Sequence, residues 1–267
     1  MHRHFVLSTV TALSVVALVV MWAFTAPPSA ATEDLASVNQ PVSAELMARL
    51  DRVSEQDLTS TPRPATAAIK PVQGEAPSSM DAPLVLYMGA DFCPYCAALR
   101  WPLALTLMRF GDLSGLRYMR SSGSDVYPDT ATFTLAGARL ESDLIDFQAV
   151  ELEDREKKKL QKPDARASEI FNRFDKEPYT KYAGSIPFLY LNGKYLEVGS
   201  PFSPESLEGM DWQQITARLE SGRGKAWEDI IGEANQLTAA VCILTQGKPD
   251  DVCTSPGIMA AAAGLPQ

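Results

Sequence analysis

Cys93-Pro94-Tyr95-Cys96 sets two thiols one helical turn apart. That spacing serves reversible disulfide chemistry, half of a zinc site, or an inert crosslink, and the flanking residues decide among them. Leu84, Val85, Leu86, Tyr87 and Met88 form a short apolar run between Pro83 and Gly89, the pattern of a buried strand. Pro94 falls where proline starts helices well, because the N–H it lacks has no intrahelical partner. From there to Phe110 the chain is apolar on nearly every side, with Ala97, Leu99, Trp101, Leu103, Leu105 and Leu107, and reads as a buried core helix. Cys93 therefore lies at a helix N-terminus, beside unpaired backbone N–H groups and the positive end of the dipole, which favour its thiolate. Cys96 is placed to attack a mixed disulfide formed at Cys93. A four-residue disulfide ring is easily reduced, so the expectation is a redox pair rather than an inert staple.

The rest of the chain narrows the chemistry. The only histidines, His2 and His4, precede the first apolar run, so no folded part can use histidine as a base or a metal ligand. Acidic residues (33) exceed basic ones (24) by 33 − 24 = 9, which argues against a nucleic-acid surface. Residues 5–24 are an apolar run long enough to span a bilayer as one helix. Arg3 precedes the run and Glu33 and Asp34 follow it, which orients the downstream chain to the extracytoplasmic side. Ser29-Ala30-Ala31 offers a cleavage-like alternative that would remove residues 1–31 and leave a secreted protein, but the run is longer than a usual signal core. A single-pass anchor in the cell membrane is the expectation. Either way the four cysteines enter a compartment where disulfides persist.

Residues 25–80, rich in Pro, Ala, Ser and Thr, read as a tether, with one piece, Val42 to Val53, offering a short helix that rests on the domain through Leu46, Leu50 and Val53. The folded domain is expected over 81–256, with 257–267 a flexible tail. Strands are expected at 116–119, 130–135 and 144–152, and the charged run 151–159 reads as a solvated helix start. Ala167, Ile170, Phe171 and Phe174 give one apolar helix face. Pro187 opens an apolar strand, where it cannot belong to a central ladder, and Asn192-Gly193 then turns the chain into a return strand at 194–198. Helices start at Pro204 and Asp211, and a longer one runs from Trp227 to Leu244. Cys242 lies near its end and Cys253 beyond Gly247-Lys248-Pro249, close enough for a stapled turn. A second redox pair relaying electrons to Cys93 and Cys96 is the alternative.

Strand, C-x-x-C, helix, then Ile-Pro, strand, hairpin and helix resemble the thioredoxin superfamily. The resemblance implies an α/β, thioredoxin-like fold with extra C-terminal helices. It also implies a cis bond at Ile186–Pro187, with Pro187 across from the cysteines and the Ile186 backbone pairing with bound substrate. Phe92 to Ala98 with Arg100-Trp101, Arg109-Phe110-Gly111, Ser121-Ser122, Asp125 to Pro128 and the Cys242–Cys253 segment narrow the resemblance to the thioredoxin-like family called domain of unknown function 929, over roughly residues 80–256. Two departures stand out. The interval from Cys96 to Pro187 is about twice that of a minimal thioredoxin, so an insertion is expected, with the strands of 130–152 and the helix of 163–176 as candidates. Thioredoxin-like oxidoreductases carry a buried acid six residues before the first cysteine; here that residue is Tyr87, and the nearer Asp91 reads as exposed.

The expected activity is protein thiol-disulfide exchange outside the membrane, with Cys93 and Cys96 as the reacting thiols and Ile186 and Pro187 at the substrate. Its partners would be protein thiols or disulfides and a membrane electron carrier, with no cofactor, metal or nucleic acid. A redox-silent binding protein of the same fold and a four-cysteine zinc site are the rival expectations.

Overall fold

A computed structural model of the chain describes residues 37–60, 69–73, 77 and 81–266. The anchor expected at 5–24 lies outside them. Among the described residues, no helix is long and apolar enough to cross a membrane.

The architecture is mixed α/β, built on a mixed five-stranded sheet. Its centre is β2 (Leu84–Gly89), buried along its whole length. Beside it run β7 (Asp146–Glu151), parallel, and β8 (Phe188–Leu191), antiparallel; β9 (Tyr195–Val198) and the short β1 (Lys70–Pro71) complete the order β1-β9-β8-β2-β7. Asn192 and Gly193 both take positive φ in the turn between β8 and β9, the backbone such a tight hairpin needs. A strand buried on both faces must be apolar at every position, and β2 divides accordingly. Val85 and Tyr87 join one core; Leu84, Leu86 and Met88 join the other.

The first core is the larger. It holds α2 (Pro94–Met108), α4 (Trp212–Glu220), α5 (Lys225–Leu244) and α1 (Ala44–Gln56). The second is closed by Ile170 and Phe174 of α3 (Ala165–Phe174), on the apolar face expected there. Two small antiparallel pairs stand between α2 and β7: β3 (Asp112–Ser114) with β6 (Arg139–Glu141), and β4 (Arg117–Arg120) with β5 (Ala131–Thr134).

Several boundaries differ from those expected. The strand at 144–152 is β7 of the central sheet, while β3 to β6 pair only among themselves. The charged run 151–159 starts no helix: Glu151 ends β7 fully buried, and the chain turns through an isolated bridge between Glu153 and Lys159. The compact unit begins at Val38 rather than at 81. The helical spacing at 46–53 is α1, and its Leu46, Leu50 and Val53 are at most 1 % exposed. Each such burial contributes about 1.5–3 kcal/mol, so this segment is part of the fold, not a tether. The expected tail likewise contains a helix, α6 (Pro256–Ala262), with Ile258 and Leu265 buried.

Candidate active site

The polypeptide leaves β2 at Gly89, turns through Ala90, Asp91 and Phe92, and enters α2 with Cys93 as its N-cap. The Cys93 sulfur accepts a hydrogen bond from the Cys96 amide at 3.3 Å, the interaction an N-cap side chain makes. Pro94 occupies the first turn, as expected. Both thiols are free. Cys93 is 6 % exposed and Cys96 not at all, so Cys93 is the thiol within reach of a substrate.

Their electrostatics diverge. Hydrogen bonding from the Cys96 thiol, then the Cys96 amide, the Arg100 charge and the Tyr95 amide, holds Cys93 below its ordinary 9 against the opposing effect of burial. Burial pushes Cys96 well above 9, and the neighbouring Cys93 adds to it. A more acidic thiol that reaches the surface beside a buried, less acidic one is the asymmetry a nucleophile and a resolving thiol need.

Beneath the cysteines lies a charged cluster that sequence reasoning missed. Arg100, one turn beyond Cys96 on α2, is completely buried. Its guanidinium donates to both carboxylate oxygens of Glu151, at 2.9 and 2.7 Å, and to the Ala90 carbonyl at 2.7 Å. Glu151 sits opposite Gly89 in the β2–β7 register and also accepts from the Leu135 amide. The Arg100 guanidinium also stands 3.5 Å from Asp91, an ion pair at a distance too long for a hydrogen bond. Asp91 is 2 % exposed, which corrects the expectation of a surface residue. Burial pushes its carboxyl up to about 7, against the attraction of Arg100. The available signal was Arg100 itself: one cation among thirteen buried helix positions must be paired.

The Ile186–Pro187 bond is cis, as the resemblance implies. Pro187 directly precedes the Phe188–Met88 register pair, so it stands at the end of the sheet where β2 gives way to the cysteine turn. Pro187 is buried and Ile186 half-buried. Their approach is fixed by Asp175 at the end of α3, whose carboxylate accepts hydrogen bonds from the Gly184 and Ser185 amides. Asp175 was also missed, because nothing in its local sequence points to a loop ten residues away. Tyr95, between the thiols in sequence, is 40 % exposed and meets Tyr127 edge-on, with ring centroids 6.1 Å apart.

Cys242 and Cys253 are bonded to each other, with Cα atoms 5.6 Å apart. This pairing takes two ligands away from a four-cysteine zinc site, and no group of three or more candidate metal ligands is assembled among the described residues. Behind the cysteine turn a cavity of about 390 Å³ is lined by Asp91, Thr134, Asp154, Arg155 and Leu160 among others.

No curated protein and no solved structure matches the chain. Residues 71–162 match the family model described as "Domain of unknown function (DUF929)", a span that holds β2, the cysteine turn, α2 and the extra strands but neither Pro187 nor the C-terminal disulfide. Over those residues the chain is similar to that family.

Proposed function

We propose that the chain is a thiol-disulfide oxidoreductase of thioredoxin-like fold, acting on protein thiols or disulfides outside a membrane to which residues 5–24 tether it. The observation that carries this reading is a pair of free thiols at the start of α2, Cys93 as the N-cap reaching the surface and Cys96 one turn on and sealed, with Cys93 lowered and Cys96 raised in keeping. The order of elements supports the fold: strand, cysteine turn, helix, then cis-proline strand, hairpin and helices.

In this reading the Cys93 thiolate attacks a substrate disulfide and one substrate sulfur leaves as thiol. Cys96 then attacks the Cys93 sulfur, closing the Cys93–Cys96 bond and releasing the second substrate thiol, which takes up a proton. Run backwards, the same steps oxidise a substrate dithiol. Ile186 and Pro187 would flank the bound chain. The test is exchange with a model protein: reduced wild type reduces its disulfide or disulfide-form wild type oxidises its dithiol, Cys93→Ser does neither, and Cys96→Ser accumulates a mixed disulfide at Cys93. A wild type without exchange contradicts the reading.

The cavity lined by Asp91 and Arg155 favours one second reading, a binding protein that uses this fold without redox turnover. Such a protein would keep its role in Cys93→Ser.

A further inference from the structure

The loop between β4 and β5, residues 121–130, is tied to the chain on both sides of Cys93. The Ser122 amide donates to the Phe92 carbonyl at 2.9 Å. Lys157, ion-paired with Asp125 of the loop at 3.3 Å, holds its ammonium 4.8 Å from the centre of the Phe92 ring. Tyr127 meets the ring of Tyr95, the residue that follows Pro94 and precedes Cys96. The loop is also fixed from within. Tyr127 and Asp129 take positive φ, at 52° and 56°, a region that few residues other than glycine adopt. The hydroxyls of Ser121 and Thr130 donate to the Tyr127 carbonyl at 3.2 and 2.8 Å and hold it there. Arg155 donates to the Ser121 carbonyl at 3.1 Å and pairs with Asp129. A loop fastened at so many points nevertheless turns apolar side chains outward: Val126 is 58 % exposed, and Tyr127 is only half-buried.

The chemistry at Cys93 says what has to cover this face. A substrate sulfur bonded to Cys93 brings its own chain with it. Successive residues of an extended chain are about 3.3 Å apart, so those next to the substrate cysteine must lie over the side chains around Cys93. Cys93 is nearly flush with the surface, which leaves the substrate no choice but to lie flat. Both acids of the loop are already paired, Asp125 with Lys157 and Asp129 with Arg155. What the loop leaves open is aromatic and aliphatic, and tyrosine offers a large contact area with few rotors to fix. We propose that Tyr127, with Val126 beside it, forms with Tyr95 a platform for an apolar side chain next to the substrate cysteine, so that the protein selects extended, unfolded chain in which such a side chain is exposed. This rests on the exchange chemistry proposed above and assigns its substrate class to a loop that the cysteine turn itself anchors.

The test uses two short peptides, with phenylalanine or serine on both sides of one cysteine, each as its mixed disulfide with 5-thio-2-nitrobenzoate. The Cys93 thiolate of the reduced full chain bonds to the peptide sulfur and displaces the aromatic thiolate, whose absorbance gives the rate. Closing the Cys93–Cys96 bond then releases the peptide thiol. Each rate is divided by that of free glutathione with the same peptide, which cancels intrinsic reactivity. Wild type should prefer the phenylalanine peptide about tenfold, the effect of covering part of one aromatic side chain. Tyr127→Phe should keep that preference. Tyr127→Asn, which suits the left-handed backbone but lacks the ring, should lose most of it while Cys93 is alkylated by iodoacetamide at the wild-type rate. A wild type that releases no peptide thiol overturns the exchange reading and this inference with it. Equal wild-type rates for the two peptides, a preference that Tyr127→Asn keeps, or one that Tyr127→Phe loses overturns the inference alone. So does a reduced wild type that sediments as a dimer where Tyr127→Asn is a monomer, which would give the platform to a second copy of the chain.

Discussion

Arg100 and Glu151 form a two-point ion pair with neither side chain exposed to solvent, joining the cysteine helix to the edge strand of the central sheet. A planar guanidinium fits a carboxylate fork in a way a lysine does not. The pair fixes the helix over the sheet and places a permanent cation beneath Cys93.

Arg100→Met should therefore do two things. It leaves the Glu151 carboxylate buried without its cation, a loss of about 3–5 kcal/mol in urea unfolding. It also removes a charge that lowers Cys93, so alkylation of Cys93 should shift to higher pH. Adding Glu151→Leu should recover much of the stability and none of the thiol shift, which separates the structural from the electrostatic role.

The thiols themselves should be distinguishable. At pH 7 iodoacetamide should modify reduced protein at Cys93 and spare Cys96 until the chain is unfolded, because the first is lowered and reaches the surface while the second is raised and sealed. Peptide mapping after timed alkylation reads this directly.

A buried acidic pair predicts the pH dependence of stability. Glu197 of β9 and Glu233 of α5 are at most 1 % exposed, and among the described residues none of their carboxylate oxygens has a hydrogen-bond partner beyond the pair. Burial, then the charge of Glu233, pushes Glu197 well above its ordinary 4.5; burial pushes Glu233 up to about 7. The folded protein holds these protons to higher pH than the unfolded chain does. Their stabilisation is fully present below 4.5 and is lost as pH rises through about 7 and above. The melting temperature should fall between pH 5 and pH 8, and Glu233→Gln should flatten that fall. Asp91 contributes in the same direction, so Asp91→Asn should remove a further part. A Cys93→Ser background keeps the opposite titration of that thiol out of the measurement.

The C-terminal disulfide should be separable from the chemistry. Cys242 and Cys253 are 11 residues apart, and closing such a loop restricts the unfolded chain by about 3 kcal/mol. Cys242→Ala with Cys253→Ala should lower stability by about that amount in denaturant titration and leave Cys93 reactivity unchanged. A relay role for this pair would instead appear as lost turnover.

What could be read from the sequence followed from how local each feature is. The cysteine turn, the proline that precedes β8 and the Asn192-Gly193 hairpin rest on the backbone preferences of a few adjacent residues, and each lies where expected. The role of residues 144–152 was not legible, because a strand cannot announce which partner it will pair with. The Arg100–Glu151 pair joins positions 51 residues apart, and Glu151 sits in a charged run that resembles a solvated surface. Asp91 looked exposed by residue type alone; only tertiary packing buries it. The helix offered at 42–53 is α1, legible from the spacing of Leu46, Leu50 and Val53, whereas its proline-rich flanks concealed that the compact unit starts with it.

The most direct measurement is a redox titration of the full chain against a dithiol–disulfide buffer, read by the mass of alkylated protein, with Cys93→Ser alongside. The account predicts one reversible two-electron transition at Cys93–Cys96, absent from the variant, while Cys242–Cys253 stays closed. Its position, near about −120 mV for an oxidant or about −270 mV for a reductant, gives the direction of electron flow. A pair that neither titrates reversibly nor exchanges with the dithiol would contradict the oxidoreductase reading.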